Sequence, residues 1–376
     1  MTDFPIRSPF LGGFECSSHR RSDGRRLDLL AATGHDRHAL LDYRALNRHG
    51  LAAARDGLRW HRIETQPGCY DWSSALPMLR AAREAGLQVI WDLCHYGWPD
   101  DLDIWSADFV TRFAAFAAEA ARRIREVSGA PPFLCPVNEI SYWAWAGGEI
   151  GRIGPLACGR GPALKRQLVR AALAAIRAVR AVDPEARFLH AEPAIHVADG
   201  ADPEGAANYR EVQYEALDMI GGRLAPELGG HAEALDLVGL NFYPDNQWVH
   251  GGGTIPLGHY AYRPFRAMLA EAHARYGRPL LVAETGAEGT AKAAWLHYVC
   301  AEVRAAQAQG VPVLGICLYP ILDYPGWENE RRCAVGLFSE PDPNGVRRLD
   351  EPLAAELREQ QARFTRIDEE DARGAA

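Results

Sequence analysis

The chain has 376 residues, 48% hydrophobic and 24% charged, which suits one large barrel or two to three smaller domains. Its 41 basic and 49 acidic residues leave a net charge of -8, which argues against nucleic acid or an anionic membrane as the main partner. No apolar run reaches the roughly 18 residues of a membrane span, and the opening MTDFPIRSPFLGG lacks a signal peptide's basic start and apolar stretch, so a cytoplasmic protein is expected.

Short apolar runs alternate along the chain with longer amphipathic ones. The predicted strands are 10–16, 57–63, 87–94, 132–139, 187–192, 235–243, 279–286 and 313–320. Near-continuous apolar runs of this length are what parallel strands buried on both faces require. Alanine-rich helical patterns run over 73–86, 106–127, 161–182 and 289–310, opening at Ser, Asp, Gly or Pro and closing at Gly or before Asp-Pro. Eight strands alternating with helices point to an α/β chain folded as a single (β/α)8 barrel over 1–366. A doubly wound sheet is the alternative, but no G-x-G-x-x-G follows the first strand. Glycine-rich loops are expected at 145–160 and 244–261, and a charged, disordered tail at 367–376. The eight cysteines form no C-x-x-C pair and several lie in apolar runs, so they read as buried, reduced thiols.

Catalytic groups of such a barrel come from the C-terminal strand ends. Those ends offer Glu15 and His19, then Arg62 and Glu64 with Arg55 just upstream, then Asp92 and His95, then Asn138 and Glu139. The later ends offer His190 and Glu192, Asn241 and Tyr243, Glu284, and Tyr319 with Asp323 and Trp327 beyond. A single glutamate at a strand end is usually a loop residue or a helix-cap partner. Glu139 and Glu284 end strands four and seven, across a barrel mouth, with Asn138 adjacent and Tyr243 on an intervening strand. That set predicts the paired carboxylates of glycoside hydrolysis, one donating a proton and one attacking the anomeric carbon. One carboxyl must keep its proton near neutral pH, which burial and a neighbouring negative charge bring about.

These residues resemble clan A glycoside hydrolases, and most of all family 1, the β-glucosidase-like enzymes. VNEI at 137–140 is similar to the family's Asn-Glu-Pro motif, and AETG at 283–286 to its Glu-Asn-Gly motif. ARDGLRWHRIE, CHYGWPD, VGLNFYP and GICLYPILDYPGW resemble its second, third, sixth and eighth strands with their loops. The resemblance implies Glu139 as acid/base, Glu284 as nucleophile and Asn138 on the sugar 2-hydroxyl. It implies Arg55 and Tyr243 on the nucleophile, His95 on a sugar hydroxyl and Trp327 as a platform for the sugar's apolar face. It implies a small-molecule glycoside substrate and no cofactor.

The departures bear on substrate. His19 or Arg20 stands where the family has a glutamine, Tyr319 where it has a tryptophan, and Gly326 where it has a sugar-gripping glutamate. Glu192 is read either as a replacement grip or as an ion-pair partner of an arginine, and Glu15 as a second replacement. His190 reads as a core residue. Trp98, Trp143, Trp145 and Trp248 read as sugar platforms or as caps on the barrel. Asp92 and His95 without H-x-H or H-E-x-x-H do not predict a metal. A transglycosylase and a catalytically silent sugar- or partner-binding barrel are the alternative functions. The oligomeric state is left open, a homo-oligomer included.

Overall fold

Eight apolar segments pair side by side, all parallel, and close on themselves. The structure, a computed structural model, describes residues 6–374, with side chains described as far as Thr365. The barrel strands are β1 (Phe10–Gly13), β2 (Ala53–Gly57), β3 (Gln88–Asp92), β4 (Phe133–Cys135), β5 (Arg187–Pro193), β6 (Leu237–Asn241), β7 (Leu280–Thr285) and β8 (Val313–Leu318). Each pairs with its sequence neighbours, and β1 pairs with β8 to complete the ring. Strand alternation then fills the interior: Leu11, Ala53, Ile90, Phe133, Leu189, Leu237 and Leu281 form a buried inner layer.

The outer helices are α1 (His35–Arg48), α2 (Leu76–Ala85), α3 (Ala107–Ser128), α4 (Gly161–Val182), α5 (Glu215–Ile220), α6 (Phe265–Tyr276), α7 (Lys292–Gln307) and α8 (Glu351–Gly374). Their local chemistry fits their ends. The Ser106 hydroxyl accepts from Phe109 N–H at 3.3 Å to cap α3, and Gly129 ends it at φ 72°. Phe109, Phe113, Phe116, Ala117, Ala120 and Ala121 form its buried face.

One predicted strand is displaced. The second runs over Ala53–Gly57, and the residues that suggested it, Trp60–Ile63, form a helical turn packed under α3. Trp60 stacks on Phe116 there, with centroids 5.6 Å apart. This puts Arg55 on the strand itself, while Arg62 lies outside at the surface on Asp28 and Glu64 is buried against Trp60 Nε1. The glycine-rich stretch at 145–160 opens on a turn of π-helix, Ala144–Glu149, rather than a plain loop. Residues 367–374, assigned from sequence to a tail, fall on the last turns of α8, and 375–376 lie outside the described residues. All eight cysteines are free thiols, six buried and two, Cys69 and Cys158, exposed. No helix among the described residues is long and apolar enough to cross a membrane.

Candidate active site

Two residues above the inner layer, the same alternation brings Arg55 from β2 and Asp92 from β3 into the barrel. Both are fully buried. Arg55 Nε and Nη2 donate to the two Asp92 oxygens at 2.9 and 2.7 Å. A guanidinium so deep is tolerable because that carboxylate neutralises it and its remaining donors are used. Nη1 donates to Glu284 Oε1 at 2.7 Å, and Nη2 to Asn138 Oδ1 at 2.5 Å.

Glu284 reaches this point through an irregularity. Leu281 and Ala283 face the interior, so alternation alone turns Glu284 outward. Register shifts in β7, between Val282 and Glu284 against β6 and between Val282 and Thr285 against β8, re-aim it into the mouth. Its second oxygen accepts from the Tyr243 hydroxyl at 2.9 Å.

Glu139 follows the end of β4 in left-handed backbone, φ 43° and ψ 63°, a strained conformation for a residue with a Cβ. Its N–H is held by Ala191 O at 3.0 Å. Its Oε2 accepts from the Tyr96 hydroxyl at 2.5 Å and its Oε1 from Asn241 Nδ2 at 2.9 Å. Asn241 is the register partner of Glu284 on β7, so one residue ties the two carboxyls together. A second chain joins them as well. Asn138, fixed by Arg55, donates from Nδ2 to the Tyr96 oxygen at 3.0 Å and meets His95 Nε2 at 3.0 Å.

The two carboxyls have unlike surroundings. Burial pushes both above the ordinary range. In Glu284 the Arg55 charge opposes that push and the Glu139 charge adds to it. In Glu139 the Tyr96 and Asn241 hydrogen bonds oppose it, the Glu192 charge adds to it, and no guanidinium touches it. Protons leave such a pair in two steps that belong to both groups. Arg55 and Tyr243 favour the anion at Glu284, whereas the hydrogen-bond partners of Glu139, Tyr96 and Asn241, are uncharged.

The other expected residues lie as follows. His95 Nδ1 donates to Asp92 Oδ2 at 2.9 Å; burial opposes its protonation and the Asp92 bond outweighs burial, so its pKa rises. Tyr319 stacks on His95 with centroids 6.2 Å apart, its hydroxyl buried without a hydrogen-bond partner. His19 and Trp327 meet edge to face at 4.7 Å, and Trp327 crosses Tyr96 at 5.8 Å. Glu192 meets no arginine among the described residues. It accepts from Ser141 N–H at 3.0 Å, a first-turn donor of the helix Ile140–Trp143 that Glu139 begins. His190 is buried on Ala234 O. Trp98 and Trp143 donate to backbone carbonyls and pack on each other, whereas Trp145 is partly exposed.

Tyr96 is absent from the sequence-predicted site residues, and Asn241 is among them only as a strand-end residue with no role. Asn241 sits at a strand end and carries that signal; Tyr96 lies in a turn at φ 67°, where alternation says nothing of direction. Cys16 also joins this ground, with Sγ 3.2 Å from His95 Nδ1. Cys16, Asp92 and His95 bring three potential ligand atoms within 4.8 Å of one another. They do not fit a cation: Arg55 already occupies both Asp92 oxygens, and its charge lies beside the site.

No family model matches the sequence, and no curated protein matches it either. Solved structures do match the fold. A β-glucosidase from Thermotoga maritima in complex with deoxynojirimycin superposes with a TM-score of 0.76 at 15% identity, covering 94% of this chain and 98% of that one. A family 1 β-glucosidase from Thermotoga maritima gives 0.76 at 14% identity, with the same coverages. A β-glycosidase gives 0.70 at 20% identity, covering 88% of this chain and 87% of its own. At these identities the likeness establishes the fold: the chain has the (β/α)8 barrel of family 1 β-glucosidases.

Proposed function

We propose that the protein is a cytoplasmic retaining exo-β-glycosidase acting on a small soluble β-glycoside, with Glu139 as acid/base and Glu284 as nucleophile. The observation that carries this reading is the asymmetry of the pair. Glu284 accepts from the Arg55 guanidinium and the Tyr243 hydroxyl, and Glu139 is buried with hydrogen bonds from Tyr96 and Asn241 but no guanidinium among the described residues. Environments that push two carboxyls apart assign the acid and the base.

In the first step Glu139 gives its proton to the glycosidic oxygen while a Glu284 oxygen attacks the anomeric carbon. The bond to the leaving oxygen breaks, the alcohol departs, and a glycosyl ester forms on Glu284. In the second step Glu139, now a carboxylate, takes a proton from water, whose oxygen displaces Glu284 and restores the β configuration. Asn138, oriented by Arg55, is placed for the sugar 2-hydroxyl, a contact that strengthens as positive charge develops on the ring. Glu192 acts through Glu139 rather than on the sugar, by fixing the following helical turn and by raising the proton affinity of Glu139. His95 serves as a hydroxyl partner and Trp327 as an apolar platform. The scheme needs no cofactor.

The test is a panel of activated aryl β-glycosides, given to wild type and to Glu284→Gly with and without azide. Turnover by wild type, its loss in the variant, and azide rescue with accumulation of a β-glycosyl azide are expected. Failure of wild type to turn over any sugar in the panel overturns the reading in favour of a catalytically silent barrel.

A further inference from the structure

Tyr96 stands against the Glu139 carboxyl and has no part in the double displacement itself. It lies in the turn beyond β3, in left-handed backbone at φ 67°, and is fully buried. Aromatic rings enclose its own: His95 at 4.7 Å, Trp143 at 5.7 Å, Tyr142 and Trp327 at 5.8 Å and His19 at 6.2 Å. A bulky residue holds such a backbone only where its surroundings impose it. Phenylalanine would serve that ring packing equally well, so the hydroxyl is there for another reason.

The direction of its hydrogen bonds follows from Arg55. A guanidinium can only donate, so the Asn138 atom that faces it, at 2.5 Å, is the amide oxygen. The amide nitrogen is thereby turned to the other side, where it donates to the Tyr96 oxygen at 3.0 Å. With its oxygen so engaged, the phenol directs its one hydrogen at Glu139 Oε2, 2.5 Å away. Arg55, Asn138, Tyr96 and Glu139 thus form a chain in which every donor faces the same way, and each bond in such a chain polarises the next. Asn241, on the other Glu139 oxygen, has no such anchor, because its own Oδ1 is buried without a hydrogen-bond partner.

A donor locked onto a carboxyl oxygen favours the anion over the acid. Burial raises the Glu139 pKa, and the Tyr96 bond leads the influences that oppose it. Asn241 from β6 and the His95 charge from the turn after β3 also lower it, and the Glu192 charge from β5 raises it. Glu284 from β7, Tyr142 from the helix Ile140–Trp143 and Tyr243 beyond β6 lie within electrostatic reach of Glu139 as well. Burial first, then the Glu139 charge, keeps Tyr96 itself a phenol. Its hydrogen therefore stays on Tyr96 throughout, and it holds the anion left when Glu139 gives its own proton away.

We propose that Tyr96 is a positioning residue for acid catalysis: its hydroxyl, oriented by Arg55 through Asn138, stabilises the Glu139 carboxylate as it forms, while the Glu139 proton passes to the glycosidic oxygen. The proposal rests on the glycosidase reading for that proton transfer. The same contact opposes the second step, in which the carboxylate must take a proton from water.

Tyr96→Phe tests this, because it keeps the ring and leaves Asn138 Nδ2 on His95 Nε2 at 3.0 Å. Melting curves verify the fold. The basic limb of kcat/KM, where Glu139 loses its proton, should move up by about one pH unit, the size expected when a hydrogen bond to a charged group is lost. The variant's kcat/KM should fall about 10-fold on a phenyl glycoside, whose leaving group needs the acid, and hold on a dinitrophenyl glycoside, whose leaving group does not. Carboxyl NMR on carbon-labelled glutamate, with the Glu139 signal assigned by its absence from Glu139→Gln, follows the same ionisation without turnover. A basic limb and a Glu139 titration that stay in place or move down, or equal losses on both substrates, overturn the proposal and leave the glycosidase reading intact. A wild type that cleaves nothing, with a Glu139 titration that still moves up in Tyr96→Phe, sinks the glycosidase reading and keeps the hold of Tyr96 on Glu139. No turnover together with an unmoved titration overturns both.

Discussion

Arg55 couples the two carboxyls, and its own burial makes that coupling measurable. Replacing it by methionine leaves Asp92 buried without its partner. Removing one member of a buried pair costs about 3–5 kcal/mol, so urea denaturation of Arg55→Met should show a loss of that order. The pair itself should be visible in the pH profile. In the proposed reaction Glu284 ionises while Glu139 keeps its proton, so on an aryl glycoside whose leaving group needs no acid Glu139→Gln replaces one neutral neighbour of Glu284 by another. The acidic limb of kcat/KM should stay in place and the basic limb should vanish; an acidic limb that moves to lower pH would show that Glu139 ionises before Glu284. At this scale the sequence is informative where a residue ends a strand, as Glu139, Asn138 and Glu284 do. It is silent on Tyr96, whose direction is set by a left-handed turn.

Strands and turns carry the next level of control. Seven barrel strands are legible because strands buried on both faces leave apolar runs that few other elements produce. The second is not, because its interior carries Arg55 and Asp56 among alanines, and charge inside a strand breaks the apolar signal. Both charges are buried and paired, Asp56 with His35 and Tyr43 outside the barrel and Arg55 within. The β7 irregularity is likewise invisible to alternation, although it aims Glu284. β1 passes its neighbours so closely that a Cβ on Gly13 would lie 2.1 Å from the Tyr319 ring and 2.9 Å from Cys317 Sγ. Gly13→Ala must therefore displace Tyr319, and KM for the best glycoside should rise while kcat changes less. Glu192 offers a test through stability. Burial raises its pKa from 4.5 to about 7, so the folded state holds a proton that the unfolded chain has released. Its contribution is full below about pH 4.5 and is lost as pH rises through about 7. Glu192→Gln removes that loss and keeps an acceptor for Ser141 N–H. Its melting temperature relative to wild type should therefore rise between pH 5 and pH 8; a constant difference would show that Glu192 is ionised throughout.

A closed barrel has no free edge, so its weak point is the seam where the first and last strands meet. β1 and β8 join across three register pairs, Phe10 with Ile316, Leu11 with Cys317 and Gly12 with Leu318. The last helix covers that seam. Leu353, Ala354, Leu357 and Phe364 of α8 are buried, and Phe364 packs edge to face on Phe10 at 5.2 Å. Gln360 is fully buried and accepts from Arg304 of α7 at 2.5 Å. Burying each large apolar side chain is worth about 1.5–3 kcal/mol, so Leu353, Leu357 and Phe364 together rival the roughly 5–15 kcal/mol net stability of an ordinary domain. Truncation after Asp350 should thus unfold the whole molecule, not fray one end, because losing α8 uncovers the closure on which every strand depends. Truncation after Arg366 removes only the charged run IDEEDARGAA and should leave melting temperature and turnover unchanged. Paired melting curves of the two truncations locate the domain boundary. A stable, active chain ending at Asp350 would place the closure energy in the strands alone, and a destabilised chain ending at Arg366 would extend the domain through the charged residues.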